Sequence, residues 1–344
     1  MTLKRNQPKI EVNKYLPIKG ERSASPWLWL GTWSLGGEGF GPSDSWDSLK
    51  VLEKALACGI RHIDTAGFYA HGESEKLVAK VIGNNREEIF ISSKGGLVWE
   101  GNRVLHRAGT DDLRESLMKS LDRLKTDYID LFQVHWPDPT VPLSESIGAL
   151  KRFQKEGLIR FYGVGNLTAK EVREYIEPGM FMPHQVHFNP IHQSKEILAA
   201  GCDRNRCCNC IVSPLEQGLL ACGRSSSGLK YLGKRDIRNR NPHFHSKEVD
   251  LWLKEFQRLS SLCAIPRVSV VLLWILAHNN VDVVIPGPRT EGQLDGILDH
   301  LKWITELSLT FHKETHNEHW VKKLRKIVGD KLWSLMEEGP CLRN

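Results

Sequence analysis

The sequence predicts an α/β fold, a (β/α)8 or TIM barrel with long loops on one face and a C-terminal helical tail. Three observations point there. Eight short apolar runs alternate with amphipathic stretches, the pattern of parallel strands joined by helices. Ionisable residues close three successive runs. The G-x-G-x-x-G turn of a doubly wound dinucleotide-binding sheet is missing: GGEGFG at 36–41 has the wrong spacing, and Gly163-Val-Gly165 lacks a third glycine.

The expected strands are 27–31, 61–64, 89–93, 128–135, 160–164, 184–188, 207–212 and 281–286. Between them, 111–125 carries Leu113, Leu117, Leu121 and Leu124 on one helical stripe, with Asp111 and Asp112 in its first turn. The helices expected at 46–58, 74–82 and 144–156 each stop at a glycine, a common helix terminator. Two connections, 95–110 and 218–246, are long enough to be functional loops, and on a barrel both follow strands, at the face where sites form. From about Ile304 a tail carries Trp320, Leu324, Ile327, Val328, Leu332 and Leu335 on one face, with Lys322, Lys323, Arg325 and Lys326 as a solvated one. The expectation is a single domain over 1–344, with its barrel core at about 27–303 and a helical extension at about 304–344.

The chain has 344 residues, 40% of them hydrophobic and 26% charged, enough to bury a large core. Its formal charge of +6 is mild and spread among acidic residues; it gives little argument for nucleic acid and suits a phosphate-bearing small ligand equally well, so no nucleic-acid partner is expected. The N-terminal segment lacks the apolar core of a signal peptide, and the longest apolar run, 268–277, is too short to span a bilayer. No membrane association and a cytoplasmic location are therefore expected, and nothing in the sequence fixes the oligomeric state. Four of the eight cysteines fall at Cys202, Cys207, Cys208 and Cys210, which in a cytoplasmic chain suggests thiols. Cys207, Cys208 and Cys210 with His184 and His187 could form a metal set. However, strand alternation sends Cys207 to the opposite face from Cys208 and Cys210, so the cluster is read as packing and no metal is expected.

Asp64, Lys94 and His135 close the second, third and fourth strands, and Tyr69 sits in the loop after the second. On a barrel they converge on one mouth. The types suit transfer of a proton to a developing anion. A tyrosine of pKa near 10 is a poor acid at neutral pH. A lysine ammonium about 4 Å away contributes roughly 4 kcal/mol at an effective dielectric near 20, enough to lower the phenol pKa by up to about 3. Asp64 would hold the lysine charged and aimed. His135 would complete the donors that stabilise a developing negative charge.

The segments HIDTAGFYAHGESE (62–75), ISSKGG (91–96), YIDLFQVHWPD (128–138), GLIRFYGVGN (157–166), QVHFNP (185–190), SPLEQGLL (213–220), DIRNRNPHF (236–244) and IPGPRTEGQL (285–294) resemble the aldo-keto reductase superfamily, in order and with compatible spacing from about Trp29 to Ile297. The resemblance implies an NADPH-dependent reductase of an aldehyde or ketone, a small-molecule carbonyl being its partner, with NADH the less favoured cofactor. It puts Asp64, Tyr69, Lys94 and His135 at the catalytic tetrad positions. By the same resemblance Gly31, Thr32 and Trp33 approach the nicotinamide ribose, Asp64 borders the cofactor, and Asn166 and Gln185 hold the carboxamide. Ser213, Leu215 and Gly218 cover the pyrophosphate. Gly287, Arg289 and Gln293 form the adenosine-phosphate site, where Arg289 would bind a 2′-phosphate. Trp33, Trp99 and Trp136 are expected to wall the substrate pocket.

The sequence departs from the family pattern at four positions: Gly165 replaces a common serine, Val212 an aromatic, Ile297 an asparagine and His187 a glutamate or other polar residue. An alternative reading is a regulatory protein on the same barrel that binds NADPH with little or no turnover. The complete tetrad favours the enzyme.

Overall fold

The computed structural model describes residues 27–37, 39–41, 44–101, 103–176, 182–200, 207–222, 232–234, 236–263, 265–278, 280–306 and 318–340. In chain order the strands and first helices are β1 (Leu30–Gly31), α1 (Ser45–Ala57), β2 (His62–Asp64), α2 (Glu73–Ile82), β3 (Phe90–Gly95), β4 (Leu97–Glu100), β5 (Arg103–His106), α3 (Thr110–Leu124), β6 (Ile129–Val134), α4 (Leu143–Lys155), β7 (Ile159–Gly165), α5 (Ala169–Tyr175), β8 (Met182–His187), α6 (Lys195–Ala200), β9 (Cys207–Val212) and β10 (Val283–Ile285). Eight of the strands form one parallel sheet in the order β1-β2-β3-β6-β7-β8-β9-β10. Hydrogen bonds from Trp29 N to Val284 O (3.0 Å) and Gly31 N to Pro286 O (2.9 Å) join its two ends, which makes it a (β/α)8 barrel.

The helices form where the sequence places their apolar stripes. In α3, Leu113, Leu117, Leu121 and Leu124 are all buried. Asp44 caps α1 by accepting from Trp46 N, and Thr168 with Glu171 makes a capping box on α5. These stripes pack on the outward residues of the strands. Inward residues fill the barrel with a separate cluster of Trp29, Phe90, Leu131, Cys208, Cys210, Val283 and Ile285. His62 lies flat on Trp29, their centroids 5.4 Å apart and their planes 5° off parallel.

The long connection at 95–110 is not structureless: β4 and β5 pair antiparallel within it. The second, 218–246, contains a short helix, Leu219–Cys222, and turns at Ile237–Arg240 and Pro242–Phe244, while 223–231 lies outside the described residues. The helix Glu291–Glu306 runs past residue 303, where the barrel core was expected to end. Beyond it the helices Glu318–Val328 and Asp330–Glu338 dock on the barrel. Leu324, Val328 and Leu332 are buried as expected, and so are Trp333 and Met336. The side chain of Trp320 lies outside the described residues. No helix among the described residues is long and apolar enough to cross a membrane.

His184 faces outward from the barrel, fully buried, and its Nε2 accepts from Leu167 N at 3.2 Å. Burial pushes its pKa down to about 4, and burial pushes that of His62 down to about 3. Both are neutral in the fold and ordinary, near 6.5, once unfolded, so the unfolded chain binds more protons below that pH. The stability they contribute is full above about pH 6.5 and is lost as the pH falls towards 4. The melting temperature should therefore drop over that window, with a shallower slope in His184→Gln. A melting temperature that stays flat across it would contradict this assignment.

Candidate active site

Strand alternation aims Asp64, Lys94 and His135 into the same mouth. Asp64 ends β2 opposite Ser92 of β3; Lys94, two residues further on, lies opposite Gln133 of β6; and His135 follows β6 directly. Lys94 Nζ donates to Asp64 Oδ1 at 2.6 Å and to Thr65 O at 2.9 Å, and it stands 3.0 Å from Tyr69 Oη. Asp64 Oδ2 accepts from Ser92 Oγ at 2.9 Å and Gln185 Nε2 at 2.6 Å. The His135 ring meets the Tyr69 ring edge-on, 5.7 Å between centroids. All four residues named from the sequence are brought together.

Tyr69 reaches this position through a tight turn. Ala70 and His71 are both left-handed, with φ of 47° and 52°, and Gly72 follows at 93°. Such a run is held by its surroundings rather than by local preference.

The charges settle differently from the sequence expectation at one point. Burial raises the Tyr69 pKa and outweighs the lowering by Lys94, so the phenol is held above its ordinary value and not below it. Desolvation of the buried phenolate outweighs the attraction of the lysine. For Lys94, burial lowers the pKa, but Asp64 and the hydrogen bonds to Asp64 and Tyr69 prevail and keep it raised. Burial, with Lys94 and His106, drives His135 well below the usual histidine range, so its ring is neutral. Its Nδ1 is buried with no hydrogen-bond partner among the described residues.

The expected pocket residues separate into layers. Trp33 lies nearest, 6.0 Å from the Tyr69 ring and nearly parallel to it. Trp99 is one layer back: it stacks on Phe68 at 4.6 Å and donates from Nε1 to Phe68 O at 3.3 Å, and Phe68 in turn edges His135 at 6.1 Å. Trp136, 44% exposed, points outward against His106.

The positions expected at the cofactor line the same face. Gly31 and Gly287 approach closely: a Cβ on Gly287 would stand 3.3 Å from Gly31 O. The Thr32 hydroxyl is fully buried and committed to Asp64 O and Ser74 Oγ. Asn166 Nδ2 donates to His135 O at 2.9 Å. A Cβ on Gly165 would come within 2.9 Å of that same carbonyl, which leaves no room there for serine. Ser213, Glu216 and Gln217 are left-handed, the Leu215 side chain packs on the core, and Gly218 N bonds Leu215 O. Val212 joins the barrel interior, and Ile297 is buried in the outer core. Arg289 N donates to Gln293 Oε1 at 2.8 Å, and the Arg289 guanidinium donates to Phe40 O and Gly41 O.

Several residues at this mouth were missed. Phe40, edge-on to Trp33 at 5.1 Å, sits in a glycine-rich stretch read only as a failed motif. Phe68 directly precedes Tyr69, a signal that could have been used. Glu216 is fully buried and takes hydrogen bonds from His187 Nε2 (2.7 Å), Asn189 Nδ2 (2.6 Å), Asn241 Nδ2 (2.7 Å) and His243 Nδ1 (3.0 Å). Burial would raise its pKa, but these donors hold it well below the usual carboxylate range. A glutamate at 187 would set a second carboxylate against Glu216, so histidine suits the position. Cys208 and Cys210 face the barrel interior with their Sγ atoms 3.9 Å apart, and His184 faces the other way. Among the described residues no group of three or more His, Cys, Asp or Glu side chains is placed to hold a metal.

A closed barrel with a buried Asp-Lys-Tyr-His cluster at the carboxyl ends of its strands defines an enzyme-like mouth. The aldo/keto reductase family model matches residues 28–314, and the chain belongs to that family of oxidoreductases. It is 31% identical over 282 residues to the aldo-keto reductase YhdN of Bacillus subtilis (strain 168), covering 80% of this chain and 84% of that protein. It is also 31% identical over 287 residues to the NADH-specific methylglyoxal reductase of Escherichia coli (strain K12), covering 77% and 86%. The solved glycerol dehydrogenase AKR11B4 from Gluconobacter oxydans superposes with a TM-score of 0.69 at 25% identity, over 91% of this chain and 96% of that one.

A direct check of the electrostatics is the tyrosinate difference spectrum between the native protein and Tyr69→Phe. The Tyr69 phenol should stay protonated up to its ordinary value of about 10. Ionisation near neutral pH would show that Lys94 outweighs burial after all.

Proposed function

We propose that the protein reduces an aldehyde or ketone to the alcohol with NADPH, Tyr69 acting as general acid assisted by Lys94, Asp64 and His135. The observation that carries this reading is the contact set of Lys94 Nζ, which places a buried cation 2.6 Å from Asp64 Oδ1 and 3.0 Å from Tyr69 Oη. That phenol keeps its proton until a stronger base forms beside it, and the alkoxide of a reduced carbonyl is such a base. Lys94 stabilises the phenolate left behind, and Asp64 keeps the lysine charged in a site that would otherwise neutralise it. The neutral His135 ring offers a donor to the carbonyl oxygen and adds no cation that would compete with Lys94. The complete cluster supports turnover over a binding-only role.

The residues present fit a nicotinamide dinucleotide. Asn166 and Gln185 spend their amide N–H groups on protein acceptors, leaving Oδ1 and Oε1 for the NH2 of a carboxamide. Arg289, beside the start of the helix Glu291–Glu306, supplies a cation for a phosphate. When bound, the reduced nicotinamide supplies the hydride. Because a relative of similar identity is called NADH-specific, the choice of NADPH rests on Arg289. In the structure its guanidinium donates to the Phe40 and Gly41 carbonyls, and a 2′-phosphate would exchange those neutral acceptors for a charged one.

Two experiments test the reading. Tyr69→Phe should fold and bind NADPH while carbonyl reduction falls by at least about a hundredfold. Turnover within about threefold of native would mean that another group donates the proton. NADPH should bind at least about tenfold more tightly than NADH, and Arg289→Ala should remove most of that gap. Equal native affinities for the two nucleotides would refute the cofactor assignment.

A further inference from the structure

We infer that Arg123 is a positioning residue for the reaction, holding from outside the barrel the turn that carries Tyr69. This rests on the reading of Tyr69 as proton donor. Arg123 projects from α3 beneath the segment 66–72. A Cβ added at Gly67 would stand 2.5 Å from its Nη2, and one added at Gly72 would stand 2.5 Å from its Cδ. The guanidinium therefore covers one end of the turn and the aliphatic stem the other. At Gly72 the stem and a φ of 93° both call for glycine, whereas at Gly67 a Cβ would push the guanidinium aside.

The arginine is itself fixed. Its Nε donates to Glu75 Oε2 at 2.6 Å, and Glu75, at the start of α2, is fully buried. The other oxygen of Glu75 accepts from Ser93 Oγ at 2.6 Å. Ser93 immediately precedes Lys94 on β3 and points to the opposite side of the sheet. One buried carboxylate thus anchors both partners of the 3.0 Å contact between Lys94 and Tyr69: the strand through Ser93 and the turn through Arg123. The turn needs such a brace because Ala70 and His71 are left-handed without being glycine. A planar guanidinium can lie flat over Gly67 while bonding Glu75, and an ammonium cannot do both.

The test measures kcat and NADPH affinity for Arg123→Met and Arg123→Lys, each in the native and in the Tyr69→Phe background. In the native background Arg123→Met should lower kcat by about tenfold to a hundredfold, the scale of a small misplacement of a reacting group. NADPH affinity should stay within about twofold of native, and Arg123→Lys should recover only part of the loss. In Tyr69→Phe the same substitutions should cost nothing further, because the group they position has gone. An equal loss in both backgrounds, or native kcat in Arg123→Met, would overturn the inference. If Arg123→Met fails to fold, Gly67→Ala displaces the guanidinium without deleting it. The same loss confined to the native background supports the inference, and unchanged kcat overturns it. Native-like turnover of Tyr69→Phe alone would instead remove the proton-donor reading, and with it any role for Arg123 acting through Tyr69.

Discussion

An aspartate and a lysine, each 2% exposed, face one another inside this barrel at 2.6 Å, and the chemistry proposed here depends on that pair. Removing two charges from water costs several kcal/mol per ion, and their attraction alone rarely recovers it. The barrel compensates with further hydrogen bonds. Ser92 and Gln185 serve the second carboxylate oxygen, while Thr65 O and Tyr69 Oη share the ammonium. Losing one partner would strand the other as an uncompensated buried charge, so the pair behaves as a unit. A phenol set beside such a cation stays neutral at rest, and the cation offsets part of what burial adds to the cost of its anion.

The same logic recurs on the far side of the mouth. Glu216 is fully buried, and four donors from β8, the segment after it and the 241–243 turn converge on it. They hold a loop in which Ser213, Glu216 and Gln217 are all left-handed. Strand ends and connections at this face are thus tied together through buried carboxylates, whereas the lower barrel is filled by aromatic and aliphatic side chains with His62 stacked among them. The division follows from strand length: inward positions near the middle of a strand meet only other inward side chains, and those at the carboxyl ends meet loops that supply polar partners.

Much of this was legible in the sequence. Short parallel strands alternate their side chains strictly, so ionisable residues at the ends of successive strands had to converge, and Asp64, Lys94 and His135 do. The leucine stripe of α3 was equally plain, because helical periodicity is local. What was not legible depends on distance in the chain or on burial. The donors of Glu216 run from His187 to His243, and nothing local announces their meeting. The direction of the Tyr69 pKa needed the desolvation of the site, which a residue spacing does not contain. The β4–β5 hairpin does carry a local signal, the Gly-Asn pair at 101–102 between its strands, but it is embedded in a segment read as one long loop. The crowding of Gly165 by His135 O explains a departure that looked like a lost contact.

The claim that a buried lysine makes Tyr69 an effective acid is met most directly by the turnover of Lys94→Met at saturating NADPH, alongside its NADPH affinity. The substitution keeps the length of the stem, removes the cation and leaves the Tyr69 hydroxyl in place. The expected result is a loss in kcat of at least about a hundredfold with cofactor affinity essentially retained. Near-native kcat in that variant would contradict the account, because the proton would then be leaving Tyr69, or another acid, without help from the buried charge.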